Sequence, residues 1–145
     1  MDLLGDAPVL RLNEEEWRIY SRHEPHAPQF VGADAVIENS SLTEGCEIYG
    51  TVRNSVLGSG VCVMAGAEVC DAVIMENVVI KEGACVRYSI IDHDAVIGAK
   101  ATIGKAREEA TGITVVGAGI VIPEGRTIGD DKMLSNQSDV EKEEA

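Results

Sequence analysis

The sequence predicts an all-β chain folded as a parallel β-helix of hexapeptide repeats, and two observations carry this prediction. Branched aliphatic residues return at every seventeenth position, as at Val52, Val69, Val86 and Ile103. Within each period they stand five, six and six positions apart, so that three short strands and three corners make one triangular coil. Aromatic residues make up only 3% of the chain, which suits a narrow interior without room for large rings.

Each six-residue unit is predicted to form one flat strand and one corner. In residues 80–85, Ile80 points inward and Ala84 is small where the walls converge. Residues 69–73 form the same unit with one corner residue removed. A single unit cannot bury its apolar face alone, so coils must stack through backbone hydrogen bonds at a spacing of about 4.8 Å.

The register continues on both sides of the central coils: Val31, Ile37, Leu42 and Ile48 precede them, and Val116, Ile122 and Ile128 follow them. One corner is shortened at residues 49–51. The register is lost over residues 105–112, which predicts a loop leaving one corner towards solvent. Arg126 stands where other units have a small residue, which predicts an open corner in a last, incomplete coil. We therefore expect a β-helix of about six coils over residues 31–129.

The two ends lack this register. Residues 1–30 are predicted to be a linker segment, with a capped helical turn at residues 13–17 and an extended path imposed by Pro25 and Pro28. Residues 130–145 are polar and charged, and are predicted to be a frayed tail.

Composition narrows the functional classes. The formal net charge of −13 argues against nucleic acid or an anionic membrane as a partner. No apolar run is long enough to span a bilayer and no secretory signal opens the sequence, which favours a cytoplasmic location. The four cysteines form no Cys-x-x-Cys motif. Stacking in the repeat register places Cys62, Cys70 and Cys85 over residues other than cysteine, so free thiols are expected.

Several motifs together are specific to one family: MDLL at residues 1–4, WRIYSR at 17–22, APQF at 27–30, YGTV at 49–52, DAVIM at 71–75 and ITVV at 113–116. They resemble bacterial glucose-1-phosphate adenylyltransferase (ADP-glucose pyrophosphorylase), where such motifs join a catalytic domain to a C-terminal left-handed β-helix. The resemblance covers residues 1–129. It implies left-handed coils and a chain that is an excised C-terminal domain or an open reading frame begun at an internal methionine.

The resemblance also implies where catalysis resides. Family enzymes make ADP-glucose and pyrophosphate from ATP and glucose 1-phosphate, using Mg²⁺, on a preceding nucleotide-binding domain that serves glycogen synthesis. The Gly-x-Gly sequences at residues 58–60 and 117–119 lie inside hexapeptides and do not continue into a phosphate-binding fingerprint. We expect no catalytic, metal or cofactor residue on this chain, no activity from it alone, and Mg²⁺ only in the full-length enzyme.

Two residues are candidates for contact with an effector. Family members are regulated by phosphorylated sugars or phosphate, and His93 stands at the position of an effector-binding arginine in some of them. Arg87, one unit earlier, can supply a cation for a phosphate. A solvated surface side chain is the alternative for both. Family members also assemble as tetramers partly through their β-helices, and Val61, Val78 and Tyr88 are predicted to face outward and contribute to self-association.

Three other functions remain open. A self-sufficient hexapeptide acyltransferase would use His93 as a general base. It is disfavoured because such enzymes keep steps of eighteen and bind the acyl carrier with a C-terminal cap, whereas this chain has steps of seventeen and an acidic tail. The non-catalytic paralogue subunit and a nucleotidyltransferase acting on another sugar are the remaining alternatives. The wording of residues 17–20 favours the catalytic subunit type.

Overall fold

The computed structural model describes residues 4–5, 9 and 25–142, and within them eighteen short strands wind into a parallel β-helix. The strands form three six-stranded sheets, and each sheet is one face of a triangular prism. The predicted β-helix of about six coils is confirmed. The helical turn expected at residues 13–17 lies outside the described residues. No helix in the described part of the chain is long and apolar enough to cross a bilayer.

The strands are numbered along the chain and fall on the three faces in strict rotation. The first face contains β1 (Phe30–Val31), β4 (Glu47–Ile48), β7 (Cys62–Val63), β10 (Val79–Ile80), β13 (Val96–Ile97) and β16 (Val121–Ile122). The second contains β2 (Val36–Glu38), β5 (Thr51–Arg53), β8 (Glu68–Cys70), β11 (Cys85–Arg87), β14 (Thr102–Ile103) and β17 (Thr127–Ile128). The third contains β3 (Ser41–Leu42), β6 (Val56–Leu57), β9 (Val73–Ile74), β12 (Ser89–Ile91), β15 (Thr114–Val116) and β18 (Met133–Leu134).

The inward columns follow the predicted register. Val52 pairs with Val69, Val69 with Val86, and Val86 with Ile103, and all four side chains are fully buried. The columns on the other two faces are equally regular: Leu57, Ile74 and Ile91 on the third, and Val63, Ile80 and Ile97 on the first. These columns form one continuous core along the prism axis.

Both predicted irregularities are confirmed. Ile37 pairs with Val52, a shorter step than the regular one from Val52 to Val69, because the corner at residues 49–51 is shortened. Ile91 pairs with Val116, a much longer step, because the loop at residues 105–113 leaves the prism between β14 and β15.

The prediction that Val61 and Val78 face outward is wrong. Both are fully buried, because each lies two positions before an inward aliphatic residue and the strand pleat turns alternate residues to the same side. In most other units this position holds a small residue: Cys46, Ser55, Ala67, Ala72, Ala84, Ser89, Ala95, Ala101 or Thr114. Tyr88 is partly buried at a corner, with a positive φ of 44°. The outward residues immediately precede the inward ones, as with Phe30 and Val121 on the first face, which are 54% and 48% exposed.

The tail expected to be frayed is ordered in its described part. β18 pairs with β15, and a short helix, α1 (Gln137–Lys142), follows it. Leu134 and Val140 are each 2% exposed, because their side chains pack against the core at the end of the last coil. The Asp139 carboxylate accepts hydrogen bonds from the backbone N–H groups of Ser135 and Asn136, at 3.0 and 3.2 Å, and so fixes the start of the helix. The prediction of a frayed tail rested on the polar composition of residues 130–145. It did not take into account that Leu134 and Val140 cover the end of the prism.

Candidate functional site

A ladder of alternating charges runs along the second face, and Arg87 is part of it. Arg53 Nε lies 2.8 Å from Glu38 Oε2, and Arg53 Nη1 lies 3.7 Å from Glu68 Oε1. Arg87 Nη2 lies 2.8 Å from Glu68 Oε2. The Arg87 guanidinium lowers the pKa of the Glu68 carboxyl. In-register stacking brings these side chains together because successive coils place their outward residues about 4.8 Å apart. Arg87 therefore uses part of its hydrogen-bonding capacity on Glu68.

Two thiols flank Glu68 on the same face. Cys70 Sγ lies 3.7 Å from Glu68 Oε1, and Cys85 Sγ lies 3.9 Å from Glu68 Oε2. Partial burial, reinforced by the Glu68 charge, raises the pKa of Cys70 to about 11. Burial also raises the pKa of Cys85. All four cysteines are free thiols, as expected, and these two are protonated near neutral pH. A protonated thiol is a poor nucleophile, so neither residue is suited to covalent catalysis.

Replacing Glu68 with glutamine is expected to speed alkylation of Cys70 by iodoacetamide several-fold at pH 8. The carboxylate opposes the thiolate, so its removal lowers the thiol pKa, and each pKa unit changes the thiolate fraction about tenfold. Site-resolved mass spectrometry measures the rate at each cysteine. Glu47→Gln is the matched control, because Glu47 raises the pKa of Cys62 on the first face. An unchanged Cys70 rate in the Glu68 variant would show that the carboxylate does not govern this thiol.

His93 lies outside this ladder, one repeat unit after Arg87 along the chain. It occupies the corner between the third and first faces, whereas Arg87 ends a strand of the second face. The His93 side chain is 57% exposed, and its Nδ1 lies 3.3 Å from Asp94 Oδ2. Its backbone N–H donates to Asp92 Oδ1 at 2.7 Å. The fold therefore presents the two predicted effector contacts at different corners and not as one joint phosphate cradle.

The shortened corner opens a cleft of about 450 Å³. Its lining comes from three successive corners, at residues 32–34, 49–51 and 65–68. Gly50 closes the short turn, where an added Cβ would overlap the carbonyl oxygen of Ala67. Asp34 and Glu68 make the lining acidic. The sequence shows the shortened corner at residues 49–51 beside which the cleft lies. It does not show that the corner leaves an open volume.

The loop after β14 brings two further cationic side chains, Lys105 and Arg107, to the surface of the prism. Lys105 Nζ lies 2.7 Å from Asp130 Oδ1, and the backbone N–H and hydroxyl of Thr111 both donate to Asp130 Oδ2 at 2.8 Å. These contacts lower the pKa of the Asp130 carboxyl and tie both ends of the loop to it. Arg107 then lies over the Tyr88 ring, 5.9 Å from its centroid, and lines two small grooves of about 170 and 270 Å³. The sequence marked this loop only as a break in the register.

Comparison with known proteins places this prism in a family. The family described as GlmU-like, C-terminal hexapeptide, matches residues 28–123. The chain belongs to this hexapeptide family. The matched residues contain β1 to β16 and end before β17 and β18, so the family pattern covers the prism except for the last strand of its second and third faces.

Similar proteins extend the match to named enzymes. The chain is 34% identical over 143 residues to the glucose-1-phosphate adenylyltransferase of Acetivibrio thermocellus, covering 92% of this chain and 34% of that enzyme. It is 39% identical over 132 residues to the enzyme of the same name from Bacillus cytotoxicus, covering 91% of this chain and 28% of that enzyme. The chain thus spans about a third of the length of these relatives and matches their C-terminal part. The resemblance seen in the sequence is confirmed.

A solved structure shares the fold. The acetyltransferase domain of PglB from Neisseria gonorrhoeae FA1090 matches with a TM-score of 0.57 and 25% sequence identity, over 74% of this chain and 52% of that chain. Hexapeptide prisms thus serve proteins of different activity, and function has to be argued from the sites rather than from the prism.

Proposed function

We propose that this chain is the C-terminal regulatory and assembly domain of a glucose-1-phosphate adenylyltransferase, which converts ATP and glucose 1-phosphate to ADP-glucose and pyrophosphate in glycogen synthesis. The observation that carries the proposal is the match with enzymes of that name over about nine-tenths of this chain and about a third of theirs. In this proposal the unmatched two-thirds of such an enzyme carry out the reaction, and the β-helix is an interaction module in the cytoplasm, inert by itself.

The chemistry of the described residues supports an inert module. They hold no group of three or more His, Cys, Asp or Glu side chains placed to bind a metal ion. In this proposal Mg²⁺ binds to the catalytic domain, where the nucleotide phosphates supply part of its coordination. Gly60 and Gly119 adopt positive φ values of 69° and 66° at corners of the prism, which accounts for both Gly-x-Gly sequences without a nucleotide.

Regulation and assembly would use different surfaces. In this proposal His93 or Arg87 contacts the phosphate of a sugar-phosphate effector, or free phosphate, together with residues of the catalytic domain. His93 is the more available of the two, because Glu68 already binds Arg87. Assembly into a tetramer would use outward apolar side chains on the first face, such as Phe30, Val79 and Val121.

One observation favours a second candidate, a hexapeptide acyltransferase. The likeness to the PglB acetyltransferase domain is matched by an exposed histidine next to a carboxylate that can orient it. The repeat steps of seventeen and the acidic C-terminal segment disfavour an acyltransferase, so this candidate ranks second.

Enzyme assays separate the two candidates. The purified chain is expected to form no ADP-glucose from ATP, Mg²⁺ and glucose 1-phosphate. A chimera in which it replaces the C-terminal third of the Acetivibrio thermocellus enzyme is expected to be active. In that chimera His93→Ala should weaken the response to phosphorylated sugars and leave basal turnover unchanged. ADP-glucose formation by the isolated chain above a boiled control would overturn the proposal. Consumption of acetyl-CoA that is lost in His93→Ala would establish the acyltransferase instead.

A further inference from the structure

Within the described residues no coil stacks on the last one, yet the edge of its first face has hydrogen-bond partners. In stacked coils, the outward residue of each strand directs its N–H and C=O groups towards the next coil. In β16 that residue is Val121, and the side chain of Gln137 takes the place of the missing strand. Gln137 Oε1 accepts from the Val121 N–H at 2.8 Å, and Gln137 Nε2 donates to the Val121 carbonyl at 2.8 Å. One carboxamide thus makes both bonds that a seventh strand would make.

The helix that carries Gln137 also closes the interior. Val140 is 2% exposed and belongs to the continuous core. Arg126 occupies the position that holds Ala84 and Ala101 in the two preceding coils of the second face, and its Nη2 donates to the Val140 carbonyl at 2.6 Å. An arginine fits at this position because no further coil of the described structure stacks on it. The open corner predicted at Arg126 is thus occupied by the arginine and the helix.

The opposite end of the prism is more open. Val31 fills an inward position of the first coil and is 46% exposed, whereas Ile48, its partner one coil on, is fully buried. The outward residues Phe30 and Val36 are 54% and 38% exposed. The strands β1, β2 and β3 are the lower edges of the three sheets, and β16, β17 and β18 are the upper edges. All strands in the described prism run parallel, and every coil contributes one strand to each of three faces. The first coil of one copy therefore has the triangular cross-section and the strand direction needed to stack on the last coil of another copy.

We propose that α1 is a cap that prevents head-to-tail association of this chain, and that the surface beneath it fits the first coil of a second copy. With the cap displaced, β1 of the second copy would take the bonds that Gln137 now makes. Such an interface joins unlike ends and does not close on itself, so it would generate linear chains. This inference concerns the ends of the prism and does not depend on the proposed enzymatic role.

Two variants test the cap. One lacks residues 136–145, and the other carries Gln137→Met, which removes both bonds to Val121 and keeps an apolar side chain of similar length. Ser138→Met places the same side chain at an exposed position of the same helix and is the matched control. Light scattering and sedimentation would be measured at moderate salt, which screens the repulsion expected from a net charge of −13.

The truncated chain is expected to show a mass that rises several-fold with concentration, the Gln137 variant a smaller rise, and the control the mass of the parent. Adding Val31→Asp to the truncated chain should stop the growth, because it places a charge on the mating first coil. A folded truncated chain with the parental mass would overturn the proposal. If truncation abolishes folding, the Gln137 variant decides: parental mass throughout the concentration series would also overturn it.

Discussion

Replacing Ile80 with aspartate is expected to leave the chain unfolded. Ile80 is fully buried, and its neighbours in the column are Val63 and Ile97. An ionised carboxylate there would have aliphatic side chains above and below it, and burying an unpaired charge costs several kcal/mol or more. That cost is of the order of the total stability of a domain, about 5–15 kcal/mol. Circular dichroism and the proton–nitrogen correlation spectrum would report the loss of the β-helix.

Two companion variants make this result interpretable. Ile80→Ala is expected to fold and to lose about 2–5 kcal/mol of unfolding free energy, from lost burial and a cavity. Lys81→Ala, at the next and exposed position, is expected to be near neutral. An aspartate variant that melts with the parent would mean that residue 80 does not face the interior and that the inward register is wrong.

The inward columns were predictable because geometry fixes their period. Each coil must return to the same three faces, so Val52, Val69 and Val86 recur at the interval that brings one above the other. Val61 and Val78 were misplaced for a related reason. The hexapeptide rhythm marks one inward residue in each unit, while the pleat also turns inward the residue two positions earlier. An alanine at that earlier position matches the small residue expected near a corner. A valine there, as at Val61 and Val78, does not match it and was therefore predicted to lie on the surface.

The surroundings of the candidate site residues were only partly predictable. The pairing of Arg87 with Glu68 follows from the register, because Cys85 lies directly over Glu68 and Arg87 is two residues further along the same face. The contacts of Arg107 and Asp130 follow from no register, because the loop between β14 and β15 belongs to no coil. Its path is set by contacts between residues distant in sequence. A periodic pattern predicts contacts between residues of the repeat. It does not predict the contacts of a loop that interrupts the repeat.

Gly104 marks the start of that loop, and replacing it with alanine is expected to cause the second large loss of stability. Gly104 has a φ of 70°, and an added Cβ would overlap the carbonyl oxygen of Arg87 and lie 2.7 Å from the Ser89 hydroxyl oxygen. The positive φ costs a non-glycine residue about 1–2 kcal/mol. Forcing the neighbouring backbone to shift adds about 1–3 kcal/mol. We therefore expect a loss of about 3 kcal/mol or more in unfolding free energy, measured by urea denaturation.

Gly125→Ala separates the two contributions. Gly125 has nearly the same φ, 68°, but a Cβ added there meets nothing within 4 Å. Its replacement should therefore cost only the backbone term of about 1–2 kcal/mol. The midpoint of the Gly104 variant should lie below that of the Gly125 variant, with the same dependence on urea concentration in both. Equal losses in the two variants would mean that the corner above Arg87 can widen without cost, and that close packing between the fourth and fifth coils does not hold the start of the loop in place.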